Sequence, residues 1–295
     1  MRLLPACPIL FVLILSIIAL EANSQSQLKW GKLSKTEIEL KECAYEPEAE
    51  AIILATVGEV EFNYGVHVFI RKHIRIKILK EAGLKHADII ISYYNKNETE
   101  SINSLKAQTL NIDEKGNVVA YKVESNHIFD VQKNEFWKEK RFIFPSVKVS
   151  SIIEYSYVTV SKNVVFLKGW TFQDEIPTLY SEMKAKITEG LDYRILYQGN
   201  RLIKKYKDVN GNTWSLVNLP SIKEEPFTTN HYNYAESIRF QLAGYNTKKV
   251  YNQGYEYVSL MTTWEKLAQE LLTEESYKAV LNRPGKAKEI LYNCS

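Results

Sequence analysis

The 295-residue sequence is poor in cysteine and methionine, with three of each, and its charges nearly cancel at a net +3. Three cysteines cannot build a disulfide-dense scaffold. The small net charge argues against a nucleic-acid-binding protein, which usually carries a strong basic excess. Whole-chain disorder is excluded as well, because 45% of the residues are hydrophobic and disorder needs few apolar groups. The composition is that of an ordinary globular protein.

Long hydrophobic runs are also lacking, except at the N-terminus. Arg2 precedes a twelve-residue apolar run over residues 9–20, and the small residues Ala22 and Ser24 precede Gln25. This pattern predicts a signal peptide over residues 1–24, cleaved before Gln25, and hence a periplasmic or secreted protein. An uncleaved N-terminal anchor is the alternative, although the run is shorter than the roughly 20 residues that a spanning helix needs. No later segment is apolar enough to span a bilayer.

Nineteen tyrosines favour sheet over helix bundle. Ile74, Ile76 and Ile78 alternate with charged residues, a period of two that places the three isoleucines on one strand face. Polar turns such as residues 113–117 separate the strands, whereas residues 28–42 are predicted to form a linker or an edge strand. Further strands are predicted over residues 49–57, 66–70, 87–94, 104–112, 118–123, 142–144, 147–149, 152–160, 184–187, 193–197 and 214–219. The pattern predicts a mainly β protein, a two-layer antiparallel β-sandwich with a short α-helical C-terminal tail.

The C-terminal pattern is helical. Thr262 and Glu265 have the spacing of a capping box. Two shorter helical faces follow within residues 277–281 and 287–294. The first helix has an apolar stripe, which we expect to dock on the sandwich, with an absent second domain as the alternative partner. The stripe consists of Trp264, Leu267, Ala268, Leu271 and Leu272.

Cysteine chemistry has little support in the sequence. Cys7 lies within the predicted signal peptide, and Cys294 is the penultimate residue. A nucleophilic thiol needs a base within hydrogen-bond reach, and no histidine follows His231. We therefore interpret Cys43 as an inert buried thiol and Cys294 as a free one, although a disulfide between them stays open in an oxidising compartment.

The other candidate groups also lack a catalytic or metal-binding pattern. The five histidines show no metal-ligand spacing, and there is no glycine-rich phosphate loop. Two carboxylate pairs lie beside prolines and are interpreted as loop charges. These groups are His67, His73, His86, His127 and His231, and the acids Asp174, Glu175, Glu224 and Glu225. The sequence therefore assigns no catalytic, cofactor-binding or metal-binding residue.

The aromatic residues allow a sharper hypothesis, a glycan-binding platform of exposed rings. The preferred interpretation is that the rings form sheet core and cross-strand pairs. Residues 230–234 are the expected exposed exception, because this stretch is polar and lies between predicted strands. The rings considered are Trp137, Trp170, Trp214, Tyr232, Tyr234, Tyr251, Tyr255 and Tyr257.

Several blocks of the sequence resemble a secreted bacterial β-domain of uncharacterised function that precedes transglutaminase-like catalytic domains, the transglutaminase-associated N-terminal domain family. The resemblance covers about residues 30–250, with one departure at Ser151, where relatives often carry glycine. The most specific block is FIFPSVKVSSIIEYSY at residues 142–157. Other blocks are residues 49–54, 73–89, 102–111, 169–183, 218–227 and 237–245.

The resemblance implies a β-sandwich followed, from about Trp264, by the helical lead-in of a transglutaminase-like domain. The family's catalytic Cys, His and Asp lie beyond that lead-in, so none carries over to this sequence. The expected organisation is a signal peptide over residues 1–24, a β-sandwich over residues 25–250 and a helical lead-in over residues 251–295, truncated before the catalytic domain.

The leading hypothesis is a non-catalytic extracytoplasmic module that needs no cofactor and acts by binding or by positioning a partner domain. The partner would be a transglutaminase-like catalytic domain, or an extracellular protein or glycan, and not a nucleic acid. The alternatives are the N-terminal fragment of a transglutaminase-like or cysteine-protease-like enzyme, and a glycan-binding module.

Overall fold

The computed structural model describes residues 28–63, 67–199, 212–223, 226, 228, 230–248, 254–261 and 263–274. Most of these residues are in strands, and two α-helices flank the strand-rich part, α1 (Lys35–Glu39) and α2 (Trp264–Thr273). The strands are β1 (Ala51–Asn63), β2 (His67–Ile78), β3 (Asp88–Tyr94), β4 (Glu100–Ile112), β5 (Val118–Lys122), β6 (Phe129–Gln132), β7 (Trp137–Ile143), β8 (Ile152–Ser161), β9 (Trp170–Thr171), β10 (Thr178–Lys186), β11 (Leu191–Gln198), β12 (Thr213–Leu219), β13 (Ser237–Lys248) and β14 (Tyr255–Ser259). The predicted mainly β class with a short C-terminal helix is confirmed.

The strands form three sheets. The large sheet has seven strands in the order β12-β10-β1-β2-β8-β4-β5. A three-stranded sheet has the order β3-β7-β6, and a third sheet has the order β11-β13-β14 with β9 also paired to β13. The pairing is antiparallel except between β1 and β10, which run parallel. β14 extends the third sheet beyond residue 250, into the segment that the sequence assigned to the helical lead-in.

Both small sheets pack on one face of the large sheet, and this produces two cores. In the first core, Ile74 and Ile153 of the large sheet cluster with Ile91 and Phe142 of the three-stranded sheet. The second core has a larger set of members from the large sheet and from the third sheet, namely Val60, Val68, Met183, Trp214, Tyr193, Ile238, Phe240 and Leu242. The sandwich is therefore one large layer facing two smaller ones, since each sheet must bury an apolar face.

The opposite face of the large sheet is covered by residues 28–43, which we name the N-terminal strap. Its helix α1 begins at a capping box in which the Ser34 side chain accepts from the Glu37 backbone and Glu37 reaches back to Ser34. Residues 28–42, predicted to form a linker or an edge strand, contain no strand: the box starts a helical turn at residues 35–39, and the residues on either side are irregular. Cys43 is buried at the end of the strap against Ile52 and Leu110, as predicted.

Gly58 lies inside β1, although the sequence pattern predicted that the strand ends before it. A Cβ atom at this position would lie 2.4 Å from the Trp170 ring. The glycine therefore provides space for a packed indole rather than a turn, and β1 continues to Asn63.

Three further local predictions can be compared with the structure. The turn at residues 113–117 is confirmed, with Gly116 at φ +82°. The strand predicted over residues 147–149 was wrong, because Ser146 and Ser150 have left-handed backbone angles that interrupt an extended chain. Helix α2 begins one residue later than predicted, with Thr263 as the N-cap accepting from the Lys266 backbone N–H.

Some predictions fall outside the described residues: the signal peptide and the helical faces at residues 277–281 and 287–294. Among the described residues, no helix has the length and apolar character needed to cross a membrane.

Candidate functional site

The thiol that the sequence considered as a nucleophile is buried. Cys43 is only 1% exposed and contributes to the core beneath the strap. Its neighbour Tyr45 has a raised pKa, because burial disfavours the phenolate and Cys43 adds to the effect. The Tyr45 hydroxyl donates a hydrogen bond to the Thr178 carbonyl and so has a structural role. Cys294 lies outside the described residues.

The histidines are dispersed over the fold. His73 lies 3.0 Å from Glu154, and His86 lies 3.0 Å from Glu50. The His231 ring lies 4.7 Å from the Tyr232 ring, between centroids, at an interplanar angle of 36°. No group of three or more potential metal-ligating side chains is found within the part of the chain that the structure describes.

The carboxylate pair Asp174 and Glu175 lies beside the exposed polar stretch that the sequence singled out. Residues 231–234 form a 3-10 helix, and the Tyr232 hydroxyl lies 3.4 Å from Glu175. Burial, followed by the charges of Asp174 and Glu175, raises the Tyr232 pKa. The same stretch lines a cavity of about 340 Å³ that also includes Ser221 and Lys223. Glu224 and Glu225, the second pair, lie outside the described residues.

The preferred interpretation holds for only some of the aromatic rings, because Tyr234, Tyr255 and Tyr257 are exposed. Trp170 and Trp214 are buried in the core, and the Trp170 indole donates to the Ser181 hydroxyl. Trp137 is partly exposed, but its ring meets Tyr94 edge-on at an interplanar angle of 80°. It therefore does not form a flat platform with that ring.

A buried ionic cluster lies beneath the strap, and the sequence did not predict it. Glu154, the third residue of β8, has a fully buried side chain. Its carboxylate accepts hydrogen bonds from Arg75 Nη2 at 2.5 Å, the Gly31 backbone N–H at 2.8 Å and Gln108 Nε2 at 2.8 Å. His73 Nε2 is the fourth neighbour, at 3.0 Å. The available signal was an acid inside the apolar strand sequence IIEY at residues 152–155.

The same cluster fixes the strap to the large sheet. Arg75 donates to the Glu37 carboxylate at 2.6 Å and to the Lys29 carbonyl at 2.9 Å. Lys77 donates to the carbonyls of Glu37 and Ile38, each at 2.6 Å. These carbonyls lie near the C-terminal end of α1, where the helix dipole favours a cation. The alternation in β2 thus places isoleucines in one core and buried cations against the strap.

Burial and hydrogen bonding act in opposite directions on Glu154. Desolvation alone would raise its pKa, but the hydrogen bonds from His73, Arg75 and Gln108 and the Arg75 charge lower the pKa to about 2. Burial lowers the pKa of Lys77, partly offset by the Glu37 charge. The cluster holds the strap to the large sheet, although Arg75 Nε is buried without a hydrogen-bond partner among the described residues and His73 lines a cavity of about 330 Å³.

A series of exposed apolar side chains follows β13. Helix α2 has no buried residue, and Trp264 is 83% exposed. The expectation that this helix docks on the sandwich was wrong. We name the following set the C-terminal apolar surface: Tyr255, Tyr257, Leu260, Met261, Trp264, Leu267 and Leu272, all exposed.

The C-terminal apolar surface is joined to the rigid part of the fold at its first residues. β14 pairs with β13, and Leu260 and Met261 both donate backbone hydrogen bonds to the Ala243 carbonyl. The Tyr257 ring lies over Gly244, where a Cβ atom would come within 2.4 Å of it, and the Tyr257 hydroxyl donates to Asp192 at 2.8 Å. Exposed large apolar side chains are typical of an interaction surface where they form a contiguous patch.

Comparison with known proteins adds a family and a shared fold. A family model described as a domain of unknown function with solved structure (DUF3857) matches residues 68–223, just over half of the chain. No match is found among curated proteins.

Among solved structures, the crystal structure of a candidate protease from Parabacteroides distasonis is similar, with a TM-score of 0.50 and 13% identity. The similarity covers 66% of this chain and 41% of that chain. Leukotriene A4 hydrolase from Saccharomyces cerevisiae aligns with a TM-score of 0.30 and 10% identity, over 82% of this chain and 38% of that chain. The chain thus spans about two fifths of the length of these structures, and only the first supports a shared fold.

Proposed function

The chain belongs to the DUF3857 family of domains of unknown function, and we propose that it is a non-catalytic β-sandwich module that docks on a partner domain through its C-terminal apolar surface. The observation that carries this proposal is the exposure of α2. Burial of a large apolar side chain contributes roughly 1.5–3 kcal/mol, so exposed Trp264, Leu267 and Leu272 leave a large stabilisation unused.

The geometry of α2 supports a covering partner rather than the sandwich of the same chain. Its N-cap is satisfied by Thr263, so the helix forms correctly at its start. Its apolar residues are nevertheless exposed, and none of them belongs to the two cores beneath the small sheets. A partner domain that packs against α2 would bury the apolar stripe of this helix. It would also fix the direction in which the chain leaves the sandwich.

The partner that we propose is a transglutaminase-like catalytic domain. The support is the sequence resemblance to modules that precede such domains, together with the similar structure of a candidate protease, of which this fold accounts for 41%. The alternative, that this chain is the N-terminal part of a transglutaminase-like or cysteine-protease-like enzyme, is consistent with this proposal. In either case the catalytic groups belong to the partner domain, and this module positions that domain.

We also propose that the module acts outside the cytoplasm, on the basis of the N-terminal signal pattern. Mass spectrometry of the exported protein should find Gln25 at the mature N-terminus, and an intact Met1 would contradict cleavage.

The docking proposal is tested with the double variant Trp264→Gln, Leu267→Gln. The probe is a transglutaminase-like domain encoded in the same or an adjacent reading frame, and its affinity is measured by calorimetry. Loss of two central apolar anchors at an interface commonly weakens binding by at least 2 kcal/mol, about thirtyfold. The thermal midpoint of the module alone should stay unchanged, because both side chains are exposed.

The control is Gln269→Ala, Glu270→Gln, on the polar side of the same helix, which should keep full affinity. A fall of several degrees in the thermal midpoint of the Trp264 and Leu267 variant would show that α2 packs on its own sandwich. That result, unchanged affinity, or a genome without such a neighbouring domain would refute the proposal.

A further inference from the structure

A cavity of about 330 Å³ lies on the large sheet, next to the buried cluster that holds the strap. Its lining residues come from four neighbouring strands, β1, β2, β8 and β4. One row of directly paired lining residues crosses these strands in the order Val57, His73, Ser156 and Lys106. Directly paired residues of antiparallel strands lie on the same face of a sheet. Because His73 contacts Glu154 of the cluster, this row is on the strap side.

A β-bulge in β4 places Lys106 in this row. The register of β4 on β8 shifts between Asn103 and Lys106. A shift of one residue moves a side chain to the other face of a sheet. If the register of Asn103 continued, Leu105 would face the strap side, but in the structure Leu105 packs against the core under the three-stranded sheet. Ser104, within the bulge, has a left-handed φ of +52° and also lines the cavity.

The other charged side chains that line the cavity already have partners. Glu59 forms ion pairs with Lys186 at 2.7 Å and with Arg71 at 3.9 Å. His73 contacts the buried acid of the cluster at 3.0 Å. Lys72 lies on the opposite face of the sheet, where its ammonium is 5.1 Å from the centroid of an indole ring in the second core.

Lys106 is the exception among these charges. Within the described part of the chain its ammonium has no carboxylate partner, and it lies 4.1 Å from the centroid of the Trp30 ring. The hydroxyls of Ser104 and Ser156, which also line the cavity, form no side-chain hydrogen bond to any described residue. One cation and two hydroxyls beside the same cavity therefore have donors to offer a ligand.

The size and the walls of the cavity are those of a small-molecule site. Ligand-binding pockets typically have volumes of roughly 300–1,000 Å³ and combine apolar walls with a few placed polar groups. Here Val57 and Val158 provide apolar wall beside the polar groups. Both valines are only partly buried, so a ligand could cover them.

We propose that this cavity binds a small carboxylate ligand, with the carboxylate at Lys106 and an apolar body against Val57 and Val158. An ammonium and hydroxyl groups donate charge-assisted hydrogen bonds to a carboxylate, and these are stronger than bonds between neutral groups. A single cation without a partner matches a singly charged ligand, whereas a phosphate dianion would bring a second negative charge towards Glu59. The site is separate from the docking proposed for α2, so either proposal can fail alone.

The test is a titration of the full chain with four probes, followed by amide shifts in a ¹H–¹⁵N spectrum. N-acetyl-leucine represents the C-terminal residue of a peptide, and isocaproate represents a free organic acid with the same apolar body. N-acetyl-leucinamide lacks the carboxylate, and inorganic phosphate lacks the apolar body. We expect saturable shifts at Ser104, Lys106 and Ser156 with the two carboxylates and none with the amide.

The two carboxylates distinguish the source of the ligand. Tighter binding of N-acetyl-leucine would assign the site to a peptide C-terminus, because only this probe has the amide. Equal binding of the two would assign the site to a free organic acid.

The variant Lys106→Gln should weaken binding of the carboxylates at least tenfold, and Lys106→Arg should restore most of it. The thermal midpoint of both variants should stay unchanged, because Lys106 is exposed. Lys184→Gln is the matched control and should keep full affinity. Lys184 is an exposed lysine of β10 that pairs with Glu182 and does not line the cavity.

Four results would overturn the proposal. The carboxylates could give no saturable shifts, or N-acetyl-leucinamide could bind as well as N-acetyl-leucine. Lys106→Gln and Lys184→Gln could weaken binding equally, which would indicate diffuse attraction to a basic surface. Phosphate could bind more tightly than both carboxylates, which would assign the cavity to a dianion.

Discussion

Removal of the Glu154 carboxylate should strongly destabilise the fold. In Glu154→Ala, Arg75 keeps Glu37 but loses its fully buried partner at 2.5 Å, and the donors Gln108 and Gly31 lose their acceptor. Breaking a buried ion pair on one side typically costs about 3–5 kcal/mol. For a chain of this size, each 1 kcal/mol lowers the thermal midpoint by about 2–4 °C. We therefore expect a loss of about 10 °C at pH 7.

The pH dependence of the free energy of unfolding gives an independent estimate of what Glu154 contributes to stability. Folding lowers the Glu154 pKa from 4.5 to about 2, which corresponds to about 3 kcal/mol. Because the folded pKa is the lower one, this stability is present above pH 4.5 and is lost as the pH falls from 4.5 to 2. Glu139, whose pKa is also held near 2 by Arg141 and Lys133, titrates in the same window and remains in the variant. The variant should thus have a shallower, not a flat, pH dependence.

Urea unfolding of both proteins between pH 7 and pH 2.5 measures these effects. The control is Glu59→Gln, whose partners Arg71 and Lys186 are exposed, so a change below about 1 kcal/mol is expected. Release of the strap can be followed separately by proteolysis within residues 28–43. A variant within 1 kcal/mol of the native chain at pH 7, or an unchanged acid dependence, would refute the reasoning.

Two further predictions concern buried positions. Gly58→Ala should cost about 1–3 kcal/mol in urea unfolding, because its Cβ would lie 2.4 Å from the Trp170 ring, whereas Gly254→Ala, with open space around it, should be neutral. Cys43 should react with a thiol reagent only as fast as the chain opens, since it is 1% exposed, and mass spectrometry of its peptide measures the rate. Labelling of Cys43 within seconds under native conditions would contradict this burial.

The sequence alone determined the β class, because strand periodicity is local. The alternation of Ile74, Ile76 and Ile78 and the turn ending near Gly116 depend on neighbouring residues, so both were predicted from the pattern. Burial of Cys43 also followed, from the ordinary preference of a free thiol for the core.

Tertiary structure decided what covers each face, and this the sequence could not supply. In the sequence, Arg75 looks like part of a solvated strand face and Glu154 like an isolated acid. In the fold, the strap buries the two side chains together, although they are 79 residues apart in sequence. A glycine such as Gly58 is typical of a strand end. Here it lies inside the strand, because the Trp170 ring, distant in sequence, leaves no space for a Cβ atom. The stripe of α2 predicted a covered helix, and only the fold showed that the sandwich does not cover it. In each case the deciding partner lies far away in sequence, where periodicity has no information.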